Sequence, residues 1–204
     1  MSLLSYVLGA CKRRGGGNGG GSGTFYPGVG ADDGFYLSSN FLRATHDYLE
    51  IGNIGNFSSN GTYIRFSNVT VPQGATITEA LLTLIGYDNW GTARTASVAI
   101  KIRAADEDDA AAPTSATDAK NRTRTTAAVD MSGITPDVEN GTVWTTDDLK
   151  SVIQEVVDRG GWVSGNALLI FIDNNGTIYP NGFKVSSIEY LSGAEKAELS
   201  ITWE

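Results

Sequence analysis

From Thr24 onward the apolar periodicity is mostly two, and this period constrains the fold more tightly than any other feature of the chain. Ser97-Val98-Ala99-Ile100-Lys101-Ile102-Arg103 puts Val98, Ile100 and Ile102 on one face and Lys101 and Arg103 on the other, which describes a strand with one wet side. Glu198-Leu199-Ser200-Ile201-Thr202-Trp203-Glu204 repeats the alternation and predicts a last strand paired inside a sheet. Ala167-Leu168-Leu169-Ile170-Phe171-Ile172 is apolar throughout, as expected of a strand covered on both faces. Further strands are predicted at residues 48–51, 62–66, 78–85, 123–129 and 183–190, separated by Gly, Asn, Asp and Pro turns. Eight or nine short strands at this spacing predict an all-β chain folded as a jelly-roll β-sandwich.

One segment breaks the period. Thr146 is a suitable N-cap, Asp147 and Asp148 follow it, and Leu149, Val152, Ile153, Val156 and Val157 form an apolar stripe at helical spacing. Gly160-Gly161 ends it. This single amphipathic helix is expected to pack on a sheet and to cover the apolar strand at 167–172. The alanine-rich stretch 104–120 reads as a long loop. Trp162, just after the helix, is expected in the core.

Residues 1–23 differ from the rest. Leu3, Leu4, Tyr6 and Leu8 give a short apolar stretch, Lys12, Arg13 and Arg14 follow, and seven of the nine residues from Gly15 to Gly23 are glycine. Such a run has almost no side chains to pack and behaves as a flexible tether. Removing the three arm cations leaves 12 basic against 23 acidic residues in the body, so arm and body differ in sign. Leu8-Gly9-Ala10-Cys11 has the outline of a lipoprotein processing site, but its charges follow the cysteine and its apolar core is interrupted by Ser2 and Ser5. The reading adopted is an N-terminal docking arm, residues 1–23, that inserts Leu3, Leu4, Tyr6, Leu8, Lys12, Arg13 and Arg14 into an acidic groove of a partner, joined to a sandwich domain at 24–204.

Composition removes several function classes. One cysteine and one histidine, His46, leave no disulfide framework and little for a zinc site or a histidine-based triad. A net charge of −8 argues against nucleic acid as a partner, and no apolar run reaches the length of a membrane span. No pair among the 23 acids is singled out for glycosidase chemistry, so the expectation is binding without catalysis and without a cofactor. Asp106-Glu107-Asp108-Asp109 is the densest acidic run and reads as a solvated loop or as a structural calcium site. Tyr87, Trp90 and Tyr179 lie at strand ends or loops, where an aromatic face can meet a sugar ring, with Asp88, Asn89, Asn174 and Asn175 as polar neighbours.

The segment Tyr63-Ile64-Arg65-Phe66-Ser67-Asn68-Val69-Thr70-Val71-Pro72-Gln73-Gly74-Ala75-Thr76-Ile77-Thr78-Glu79-Ala80-Leu81-Leu82 resembles DNRLRE-type and related carbohydrate-binding-module-like jelly rolls. In those, a strand ending in Arg-Phe precedes a Pro-x-Gly-x-x-Ile-x-x-Ala-x-Leu turn and strand. Gly160-Gly161-Trp162 followed by Gly165-Asn166-Ala167-Leu168 is similar to the same family. Gly30-Ala31-Asp32-Asp33-Gly34-Phe35-Tyr36 and Tyr48-Leu49-Glu50-Ile51-Gly52 resemble tailed-bacteriophage virion proteins that carry this sandwich. The resemblance implies a structural protein of the virion: a capsid decoration, fibre or tail-associated module, oligomeric in the particle, bound to other virion proteins and adhesive toward host glycans. The alternative it leaves open is a secreted, stand-alone carbohydrate-binding module.

Overall fold

The computed structural model describes residues 20–54, 59–87, 97–134 and 140–204. The strands are β1 (Gly21–Phe25), β2 (Asp33–Leu37), β3 (Leu42–Arg43), β4 (Tyr48–Gly52), β5 (Ser59–Phe66), β6 (Ile77–Ile85), β7 (Val98–Ala104), β8 (Val129–Ile134), β9 (Val143–Thr145), β10 (Leu168–Asn174), β11 (Gly182–Ser186) and β12 (Glu198–Trp203). Two helices, α1 (Ala116–Asn121) and α2 (Lys150–Val157), interrupt them. All strand pairs are antiparallel. One layer runs β1-β12-β6-β9, the other β3-β2-β5-β10-β7-β8, and a β11-β4 pair is tied to the end of β6 by a bridge between Gly86 and Val185.

The alternating residues meet between the two layers. Leu82, Leu84, Leu199 and Ile201 from the four-stranded layer share one core with Ile64, Ile100, Ile102, Ile170 and Ile172 from the six-stranded layer, all at most 1% exposed. At roughly 1.5–3 kcal/mol for each fully buried large aliphatic side chain, this shared core is the main stabilising term. The all-β sandwich expected from the alternation is therefore the fold. Ile77 and Ala80 point inward, and Trp162 is buried with its indole N–H donating to Val71 O at 3.0 Å. Strand β12 lies between β1 and β6, as its pattern predicted.

The last glycines of the run expected to be a tether are structural. Gly21, Ser22 and Gly23 pair with Trp203, Thr202 and Ile201, and a Cβ on Gly21 would lie 2.7 Å from the Trp203 ring. Glycine at this position lets the edge strand lie flat beneath the indole.

Three expectations about elements need correction. The helix starts at Lys150 and not after Thr146, because the segment before it still follows β6. Thr146 N–H and Leu149 N–H donate to Leu82 O and Ala80 O, while the Thr146 hydroxyl and the Asp148 carboxylate accept from the N–H groups of Leu82 and Ala80. Of residues 123–129 only Val129, the first residue of β8, is in a strand. Arg124 makes only an isolated bridge to Ala105, and the N–H groups of Thr126 and Ala127 are taken by the Glu155 carboxylate of α2 at 2.7 Å each. The strand expected at 183–190 stops at Ser186, after which Ile188 N–H turns to Asp33.

The cover over β10 also differs from expectation. Helix α2 packs on β6 and β7 and contributes Val152, Ile153, Val156 and Val157 to the inner core. The outer residues of β10, Leu169 and Phe171, pack instead with Ala105, Ala110, Ala116, Ala119, Tyr36 and Tyr63. The alanine-rich stretch is thus the lid of the outer face. It contains α1, capped by the Ser115 hydroxyl accepting from Asp118 N–H at 3.0 Å, and its small side chains let the backbone lie close to the sheet.

Candidate functional site

Beyond Phe171 along β10, the outer face changes from apolar to charged. Phe171 is opposite Arg103 of β7, and Asp173 is opposite Gly61 of β5, which in turn faces Tyr36 of β2. A Cβ on Gly61 would stand 2.6 Å from the Tyr36 hydroxyl and 2.8 Å from Asp173 Oδ1. The absence of that carbon allows the Tyr36 hydroxyl to donate to the Asp173 carboxylate across β5. Arg103 Nη2 donates to Asp173 Oδ2 at 3.0 Å, and Arg124 Nε lies 3.7 Å from the same oxygen. Arg124 Nη2 donates to the Tyr36 hydroxyl at 3.2 Å, and its guanidinium sits 3.3 Å from the centre of the Phe171 ring, a cation–π contact that holds the plane of the group. Burial, then the adjacent Asp173 charge, pushes the Tyr36 hydroxyl well above the ordinary tyrosine range, so it stays a neutral donor.

The end of α1 supplies the opposite wall. Lys120 Nζ donates to Ser38 O and Asn40 Oδ1 at 3.2 and 3.0 Å. Arg122 is fixed by Asp118, Glu107 and the carbonyls of Ala111 and Ala112. Between the walls lies a cleft of about 510 Å³, within the size range of small-molecule sites. Its cations and its one carboxylate make it an anion receptor in chemical type.

The residues singled out in the sequence have other fates. Asp106 and Asp108 both pair with Arg159, Glu107 pairs with Arg122 at 3.3 Å, and Asp109 accepts from Ala167 N–H at 2.8 Å. The four acids of the run thus divide among three partners, which lie after α2, at the end of α1 and just before β10. One oxygen of each of these carboxylates is engaged by an arginine or a backbone N–H. Among the described residues no group of three or more metal-ligating side chains comes together. Tyr87 is packed into an aromatic cluster, tilted 5.2 Å from the Tyr48 ring and edge-on 4.8 Å from Tyr190, with Phe35 and His46 further along. Tyr179 is about half exposed, in the turn between β10 and β11. Trp90 and the docking residues Leu3, Leu4, Tyr6, Leu8, Lys12, Arg13 and Arg14 lie outside the described residues.

A second polar cluster lies near the start of β2. Asp33 is 1% exposed; its Oδ2 accepts from Ile188 N–H at 2.9 Å, and its Oδ1 has no hydrogen-bond partner among the described residues. Burial, reinforced by the charges of Glu189 and Asp32, raises its carboxyl to about 7. Neighbouring Asp32 pairs with Arg65 at 2.8 Å and accepts from the N–H groups of Gly28 and Val29. These bonds fix the turn that leads into β2.

The cleft residues come from β2, β7, β10 and the α1 end, so no local motif marks them. The one local signal is Arg103 on the wet face of β7, followed by the apolar run that ends in Asp173. No protein-family model matches the chain, and no curated protein matches it either.

Proposed function

We propose that the chain is a structural protein of a bacteriophage virion, displayed as a capsid decoration, fibre or tail-associated module. Its amino-terminal segment docks on other virion proteins, and its jelly-roll body meets host glycans. The observation that carries this reading is the placement of tether and cleft. The glycine run enters the body through β1, the edge of the four-stranded layer, whereas the cleft opens on the outer face of the other layer. Attachment through β1 and contact through the cleft would thus use different layers. The cations Lys12, Arg13 and Arg14 on the segment, against a body of opposite sign, favour capture in an acidic groove on the partner. Many tethered copies raise a weak sugar contact to useful avidity, and this is the role assigned to the oligomer in the particle.

Deletion of residues 1–19 tests it. The truncated body keeps its thermal unfolding temperature and fails to join particles during assembly. Incorporation at full occupancy without the segment contradicts the proposal. The cleft by itself also suits a secreted carbohydrate-binding module. That second reading is favoured if the chain binds a glycan tightly and is absent from particles.

A further inference from the structure

The cleft holds more positive charge than its carboxylates neutralise. Arg122 is matched by Asp118 and Glu107. Arg103 and Arg124 share Asp173, while Lys120 donates to two uncharged oxygens. Among the described ion pairs, then, three cations face one carboxylate. The Nε groups of Arg103 and Arg124 are buried with no hydrogen-bond acceptor among the described residues. This excess sits in a concave wall of a chain whose net charge is −8, so the positive potential is local and confined.

We propose that the cleft binds the phosphoryl group of a phosphorylated saccharide. Guanidinium forks and an ammonium arranged on two walls suit an oxyanion with several acceptor oxygens. A phosphomonoester carries roughly −1.5 to −2 at neutral pH and matches the two unneutralised cations, whereas a single carboxylate leaves one of them bare. An extended nucleic acid is disfavoured, because its neighbouring phosphates would lie over the acidic remainder of the body. The saccharide half of the inference rests on the glycan-adhesive reading above; the phosphoryl half rests on the cleft.

The test is isothermal titration calorimetry of the full chain with glucose 6-phosphate, inorganic phosphate, glucose and glucuronate. Glucose 6-phosphate binds at pH 7.5 and glucose does not. The affinity falls as pH drops from 7.5 to 5, because the phosphoryl group gives up its second charge near pH 6. Lys120→Gln, a variant of a surface side chain, weakens binding by about tenfold, the scale of one charge-assisted hydrogen bond. Arg103→Gln serves as the second variant should the first disturb α1. Inorganic phosphate binding as tightly as glucose 6-phosphate keeps the phosphoryl site but overturns the saccharide. No binding of glucose 6-phosphate, equal binding of glucuronate, or unchanged affinity in both folded variants overturns the proposal. A chain that binds glucose 6-phosphate but is absent from virions contradicts only the virion reading. A virion component that binds no phosphoryl group contradicts only this one.

Discussion

Asp33 shows what one buried carboxyl does to the pH response of the molecule. Its folded-state value, about 7, lies above the ordinary 3.8 because burial penalises the charged form. The folded state therefore holds the proton more tightly than the unfolded chain does. The resulting stability is fully present below about pH 4 and is lost as pH rises through 7. Asp33→Asn keeps an oxygen for Ile188 N–H and removes the charge. Denaturant unfolding should show the variant more stable than the parent at pH 8, by on the order of a few kcal/mol, and close to it at pH 4. Gly61 makes the complementary point about space. Gly61→Ala puts a methyl group between the Tyr36 hydroxyl and Asp173, and should cost on the order of 1–3 kcal/mol while shifting the cleft walls. Unchanged thermal unfolding would show that the strands relax around the added carbon.

At the scale of elements, side chains replace ladder hydrogen bonds where the sandwich turns a corner. The Glu155 carboxylate holds the N–H groups of Thr126 and Ala127. Glu155→Ala leaves both without that acceptor and should destabilise by roughly 1–3 kcal/mol, with amide exchange rising first at 126 and 127. Residues 123–129 look like a strand because Thr and Val favour strands, and nothing in the local pattern reports a glutamate on a distant helix. The strands with alternating or wholly apolar patterns, β5, β6, β7, β10 and β12, were legible because burial on defined faces dictates period two. β1 was hidden because glycine carries no pattern, and α1 because its six residues are too few to show a helical stripe. The site was legible only in part. Arg103 was placed on the wet face, but its meeting with Arg124, Tyr36 and Asp173 depends on strand order, which no local spacing encodes. The acidic run was legible as a cluster of charge and not as a set of arginine partners. With one oxygen of each acid engaged by an arginine or a backbone N–H, calcium or a chelator should move the thermal unfolding midpoint by less than about 1 °C, since a ligand stabilises only by binding the native state. A rise of several degrees with calcium would show that the cation displaces Arg159.

For the whole molecule, the proposed function assigns attachment to one layer and contact to the other. The four-stranded layer receives the glycine-rich segment through β1, and the six-stranded layer presents a cationic cleft on its outer face. Quantitative mass spectrometry of virions purified from the source of this chain, with limited proteolysis before and after disassembly, tests this arrangement most directly. The account predicts a fixed copy number per particle, with residues 1–19 protected in the intact virion and cleaved once the protein is released. Absence of the chain from virions, or cleavage of that segment as fast in the particle as in the free protein, would contradict it.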